Sequence, residues 1–430
     1  MNTTLFKSLT LLLTIIFVTF SCNNESAREG TRPPQQLVAA EPGSVGFSAE
    51  RLARIDAVVQ DYIDRECFPG AVAFIARHGK IVYYKSFGMR DPTVQDPMEK
   101  DDIFRIASMT KALASVAVMM LYEEGHFLLD DPVSKFITEF RNPQVLIKMN
   151  PDLTYSSRPA SGEITIRHLL THTSGIGYPF IHSELAPLYS KYKIPDGFVI
   201  TDAVLKDAIP ALGKVPLLHD PGERFTYGLN SDVLGYLVEV ISGKSFKDFL
   251  DERLFGPLGM EDACFYLPDE KDDRLVPVYA NSEKGLIPST DPRYDYPFKG
   301  GKSYYSGGAG ICCTILDYAR FMQMMVNGGS YNGYQILGRK TVDLMTMNQV
   351  GGLYGDGAFG LGFGIVTDGT KHQILSSVGN YNWGGYFSTT YWMDPQEDLI
   401  GLFFTQMFPM QYGDIHNKFR VLVYQALVGE

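Results

Sequence analysis

Ser108-Met109-Thr110-Lys111, followed without a break by the apolar run from Ala112 to Tyr122, is the stretch whose reading decides the fold. A serine three residues before a lysine on a helix shares its face, so the lysine nitrogen can reach the hydroxyl. The first turn of such a helix also offers free backbone N–H groups and a positive dipole end, which favour negative charge on the serine oxygen and on an attacked carbonyl. Lys111 is set among Leu113, Val116, Val118 and Met119 and their neighbours. A lysine buried there loses its charge readily and can accept the Ser108 proton.

A pattern of two common residue types recurs by chance, and a second copy runs from Ser190 to Lys193. Pro195 follows it at once and no apolar helix begins there, so its lysine should stay in water. Context therefore selects Ser108 as a nucleophile, against the alternative of a serine N-cap on a core helix.

Length and composition frame this chemistry. The chain has 430 residues, 45% hydrophobic and 20% charged, which suits one large two-lobed soluble domain or two ordinary ones. A net charge of −11 argues against nucleic acid as a partner.

The first 22 residues read as a targeting segment, with Lys7 before an apolar run, Leu9 to Phe20, too short to span a bilayer. The run ends at Ser21-Cys22, and a polar stretch from Asn23 to Gln36 follows. This resembles a bacterial lipoprotein signal, which implies export, lipidation of Cys22 and an envelope protein facing the periplasm or the surface, plain secretion being the alternative. Residues 23–44 then form a tether, stiffer at Pro33-Pro34. Of five cysteines, the remaining four fit neither a zinc site nor a dense disulfide framework; Cys67, Cys312 and Cys313 read as small buried fillers.

Ser48 is expected to cap a helix with Leu52, Ile55, Val59 and Tyr62 inward. Ala71 to Ala76 and Ile81 to Lys85 flank His78-Gly79 as a hairpin. Helices are expected over Ile166 to Leu170, Val204 to Leu212, Asp232 to Ile241 and Phe246 to Leu254, and over Ile315 to Val326 with Thr314 as its cap. The C-terminal third reads as strands Tyr386 to Met393 and Leu399 to Gln406, then a helix from Asp414. Strand-rich ends around a helical middle imply an α+β fold: an antiparallel sheet built from both termini, about 45–107 and 300–430, with an inserted mainly helical lobe, about 108–299. A ligand would sit in the cleft between the lobes, where Ser108 lies.

From about Phe47 onward the chain resembles the serine β-lactamase and penicillin-binding-protein superfamily, in its class C-like branch, closest to family VIII carboxylesterases. Besides Ser108 to Lys111, the resemblance rests on Phe68-Pro-Gly-Ala-Val72, His168-Leu-Leu-Thr-His-Thr-Ser-Gly175, Pro221-Gly-Glu-Arg-Phe-Thr-Tyr227, Pro257-Leu-Gly-Met260 and Gly307-Gly-Ala-Gly310. It implies a β-lactamase/transpeptidase-like fold, Ser108 as acylated nucleophile, Lys111 as its base and Tyr227 as proton shuttle. The family's second motif is tyrosine, any residue, asparagine; Tyr227-Gly-Leu-Asn230 has one residue too many, so Asn230 is either a substrate-binding amide or a cap for the following helix. The third motif is matched by Trp383-Gly384-Gly385, a form shared with family VIII esterases. There an indole replaces the cation that would meet a β-lactam or peptide carboxylate, unless Lys371 or His372 restores it. The two glycines should let the strand approach substrate, and the N–H groups of Ser108 and Tyr386 would form the oxyanion hole.

His168 and His172 are four apart, as in a zinc pair, but the glutamate of H-E-x-x-H is missing, so neither a metal nor another cofactor is expected. Asp130 and Asp131 read as solvated or capping. No G-x-S-x-G elbow occurs. The expected function is a serine hydrolase acting on esters or related acyl compounds. The alternatives are a β-lactamase or D-alanyl-D-alanine carboxypeptidase on the same machinery, and an inactive envelope binding protein.

Overall fold

The run from Gly70 to Arg77 has almost no polar residue, which suits a strand covered on both faces. In the computed structural model, which describes residues 36–429 except 151, 153, 199 and 284, it lies inside a nine-stranded sheet. The strands are β1 Val38–Ala39, β2 Gly70–Arg77, β3 Lys80–Asp91, β4 Asp96–Pro97, β5 Ala358–Phe359, β6 Gly364–Ile365, β7 Tyr381–Gly384, β8 Thr389–Asp394 and β9 Leu399–Phe404. Their order is β1-β3-β2-β9-β8-β7-β6-β5, with β4 on β3. N- and C-terminal parts meet at the antiparallel β2–β9 pair, where Phe74 lies opposite Leu402. His78 and Gly79, at φ 52° and 68°, make the turn of the β2–β3 hairpin, the left-handed pair that matches strand twist.

Alternation along β2 splits the core. Val72, Phe74 and Ala76 join one hydrophobic cluster, and Ala71, Ala73 and Ile75 the other. The second face is covered by α1 Ala49–Asp64 and by the C-terminal helix Asp414–Ala426, with Leu52, Ile55 and Val59 packed near Phe419 and Val423. Ser48 caps α1 by accepting from the N–H of Arg51. The first face is covered by α2 Thr110–Glu123 and by the helix Ile315–Val326, which Thr314 caps. Every residue of α2 from Thr110 to Leu121 is buried, as an all-round apolar helix requires. It packs against α3 Asn230–Ser242 in the helical lobe.

The differences from expectation are local. The signal segment and Cys22 lie outside the described residues. The tether was expected to reach Ser44, yet Val38 and Ala39 pair in parallel with Lys80 and Ile81, an edge contact that short-range sequence signals do not carry. The strand expected from Tyr386 begins only at Thr389, because 385–388 turn from β7 into β8. The helix expected to Leu254 ends at Leu250 and continues as a wider π turn, Asp251–Phe255. Residues 108–299 also hold two small hairpins, Gln144–Met149 with Tyr155–Pro159, and Tyr279–Ser282 with Gly285–Pro288, the second packing against the sheet, where the Tyr279 N–H donates to the Gln406 carbonyl.

Candidate active site

Ser108 stands in a 3₁₀ turn, Ala107–Met109, that runs directly into α2. Ala107 has φ 43°, a left-handed conformation that costs a residue with a side chain on the order of 1 kcal/mol. The surroundings hold it there, since its methyl is fully buried in a cluster with Val278, Tyr294 and Phe387. The result is a serine partly exposed between two buried neighbours.

Lys111 is one turn further along and 2% exposed. Its Nζ lies 3.1 Å from Ser108 Oγ, 3.2 Å from Tyr178 OH and 2.7 Å from the carbonyl oxygen of Gly308. A neutral amine there can keep donating to the carbonyl and the phenol while accepting the serine proton. In the second tetrad Lys193 is exposed, as its context implied.

Tyr178 is a site residue that sequence reasoning missed. Burial, and then the nearby Asp232 carboxyl, hold its phenol well above the ordinary tyrosine range, so it stays protonated beside the amine. Tyr227 stands on the cleft side, its ring centroid 4.6 Å from Lys111 Nζ and 5.5 Å from that of Tyr178. Its hydroxyl accepts from Trp383 Nε1 at 3.4 Å. The indole N–H therefore serves the tyrosine as well as walling the cleft.

Glycines set this spacing. A Cβ on Gly308 would lie 2.6 Å from Asp232 Oδ2 and 2.8 Å from Tyr178 OH, so only glycine lets that loop close on Lys111. A Cβ on Gly228 would lie 2.0 Å from the Ile176 carbonyl, which is how the Tyr227 segment presses against the segment leading to Tyr178. A Cβ on Gly385 would meet the Ile106 carbonyl at 2.4 Å, so the third motif docks on the turn that carries Ser108. The close approach expected of Gly385 toward substrate is made to the protein itself. Gly384 does line the cleft. Gly385 N–H donates to Thr389, whereas no acceptor for the Tyr386 N–H occurs among the described residues.

Asn230 corrects both expectations for it. It is the first residue of α3, fully buried, with no side-chain cap at that helix end. Its Oδ1 accepts from Ser174 Oγ at 2.5 Å and its Nδ2 lies 3.0 Å from His172 Nδ1. These bonds hold the amide inward, where it clamps the 172–176 segment behind Tyr227. Burial holds the His172 imidazole well below the ordinary histidine range and so neutral, which fits its acceptor role toward the amide. His168 instead closes a capping box with Thr165, so the two histidines have separate partners. Lys371 pairs with Asp368 at 2.7 Å, and neither it nor His372 reaches the cleft lining, so the cation of the usual third motif is not restored.

The cleft above Ser108 has a volume of about 300 Å³ and is walled by Tyr178, Phe180, Phe198, Tyr227, Trp383 and Tyr386. Asp196 is the one charged side chain on its wall among the described residues. Fold and site together define a serine-hydrolase-like enzyme.

Comparison with known proteins agrees. A family model described as beta-lactamase matches residues 55–425, and the chain belongs to that family. Esterase EstB of Burkholderia gladioli is 30% identical over 390 residues, covering 86% of this chain and 94% of its own. EstCE1, described as a hydrolase with promiscuous acyltransferase activity, is similar in structure with a TM-score of 0.76 at 27% identity, over 87% of this chain and 99% of its own. Unliganded simvastatin synthase (LovD) from Aspergillus terreus shares the fold, with a TM-score of 0.76 at 24% identity over 89% of this chain and 100% of its own.

Proposed function

We propose that the protein hydrolyses esters or related acyl compounds through a covalent acyl-enzyme on Ser108. The observation that carries this reading is the 3.1 Å approach of Lys111 Nζ to Ser108 Oγ at the floor of an aromatic cleft. As Ser108 Oγ bonds the acyl carbon, its proton passes to Lys111, while the N–H groups of Ser108 and Tyr386 stabilise the oxyanion. Tyr227 then relays the proton to the leaving alkoxide, and water releases the acyl group by the reverse sequence. Tyr178 and Gly308 hold the amine in place throughout. An esterase relative and a hydrolase neighbour support the choice of acyl chemistry.

Acid-quenching the protein during turnover of an aryl ester and measuring its intact mass tests this. Wild-type protein should carry one acyl group and Ser108→Ala none; a wild type that turns over ester while never carrying the acyl mass would refute the covalent step.

A second proposal concerns location. Lipidation of Cys22 would anchor the protein in the cell envelope, its acyl chains lying in the membrane. Wild-type protein from cells should then partition into detergent and Cys22→Ala should not; identical partitioning would rule out the anchor.

A further inference from the structure

Asp196 is a carboxylate in a wall otherwise made of aromatic rings and small groups. It is partly exposed to the cleft, and among the described residues its carboxylate is hydrogen-bonded by its own backbone N–H and by no other residue. The cation whose charge acts on it is Arg293, and that guanidinium is already held by Asp291, with Nη2 to Oδ2 at 2.7 Å and Nε to Oδ1 at 3.1 Å. Burial raises the Asp196 carboxyl above the usual carboxylate range, as expected for an acid taken from water without a partner of its own. The rings nearby present faces as well as edges. Phe198, two residues along, packs 5.5 Å from Tyr386, and Phe180, 58% exposed, stacks on Tyr178 at 4.8 Å. A carboxylate beside aromatic faces is the combination that stabilises an alkylammonium group, by charge on one side and ring quadrupoles on the other. The same carboxylate repels an anionic substrate.

We propose that Asp196 is a specificity-determining residue that selects esters carrying a cationic amine, held between its carboxylate and the rings of Phe198, Tyr386 and Phe180. The proposal rests on the esterase reading of the same cleft and narrows it. The ammonium can belong to the acyl part or to the alcohol part, since both leave from Ser108 through one cleft.

Two isosteric pairs test it, each differing only in a quaternary nitrogen against a quaternary carbon. The acyl pair is p-nitrophenyl 4-(trimethylammonio)butanoate and p-nitrophenyl 5,5-dimethylhexanoate; the alcohol pair is acetylcholine and 3,3-dimethylbutyl acetate. The readout is the ratio of kcat/KM for the cationic to the neutral ester, in which any loss common to both cancels. Wild-type protein should favour the cation by at least about tenfold in one pair, a factor within the reach of a single charge and cation–π site. Asp196→Asn should remove that preference and Asp196→Glu should keep most of it.

In wild-type protein the ratio should also fall as pH drops through the titration of Asp196, because protonation removes the negative charge while Arg293 and the neutral Tyr304 phenol, the other groups coupled to it, keep their charge state. That measurement stands even where the variants fold poorly. A ratio near one for both pairs, or a preference that survives in a folded Asp196→Asn protein, overturns the proposal. Hydrolysis of neither member of either pair overturns the esterase reading itself, and the proposal with it.

Discussion

Lys111→Ala lowers kcat/KM for a short-chain aryl ester by at least about 10³-fold, roughly 4 kcal/mol of transition-state stabilisation. The loss is large because two functions vanish together. In the proposed mechanism the serine loses the amine 3.1 Å away that takes its proton, and the ammonium so formed no longer stands beside the serine oxygen to return that proton. The tyrosines should separate by role. Tyr227→Phe removes the proton relay and should cost on the order of 10²-fold. Tyr178→Phe removes one of three contacts of the amine and should cost less, on the order of tenfold. Activity of Lys111→Ala within about tenfold of wild type would remove the lysine from the mechanism.

Short-chain aryl esters are turned over with a kcat/KM at least about a hundredfold above that for a chromogenic cephalosporin, equivalent to roughly 2.7 kcal/mol. Cephalosporins carry a carboxylate that needs a cation, and the cleft wall offers Trp383 where the usual third motif has one. Lys371 and His372 are not on that wall, and Asp196 adds a like charge. Asn230 is turned into the core, so the amide that would complete the second motif is missing as well. Trp383→Lys should narrow the gap by improving the cephalosporin reaction and harming the ester reaction, the latter also because Tyr227 loses its indole donor. Equal turnover of both substrates by wild-type protein would put the β-lactamase reading first.

What could be read from sequence follows from how local the cause is. The apolar run after Lys111 marks a helix buried all round, and the two-faced run from Gly70 to Arg77 marks a strand covered on both sides; each pattern carries its own reason. The Ser108–Lys111 pair was legible because both groups lie within one helical turn. Tyr178 was not. Nothing near it separates it from the other tyrosines among 25, and its role arises only when the fold brings residue 178 to residue 111. Asp232 is hidden in the same way, as an acid in the first turn of a helix that reads as ordinary dipole compensation until the Gly308 loop buries it. Asn230 was misread because counting residues after Tyr227 cannot show which way a side chain at the start of the following helix points. The strand at Val38 depends on a partner more than 40 residues away, Lys80, and left no mark in the polar segment before it.

Peptide mapping after a fluorophosphonate probe tests the central claim most directly. The probe should modify Ser108 alone, since that serine combines a strained turn at a helix start with a buried lysine in contact, and Lys111→Ala should label far more slowly. Labelling at Ser190 or another serine, or equal labelling of Ser108 with and without Lys111, would contradict the account.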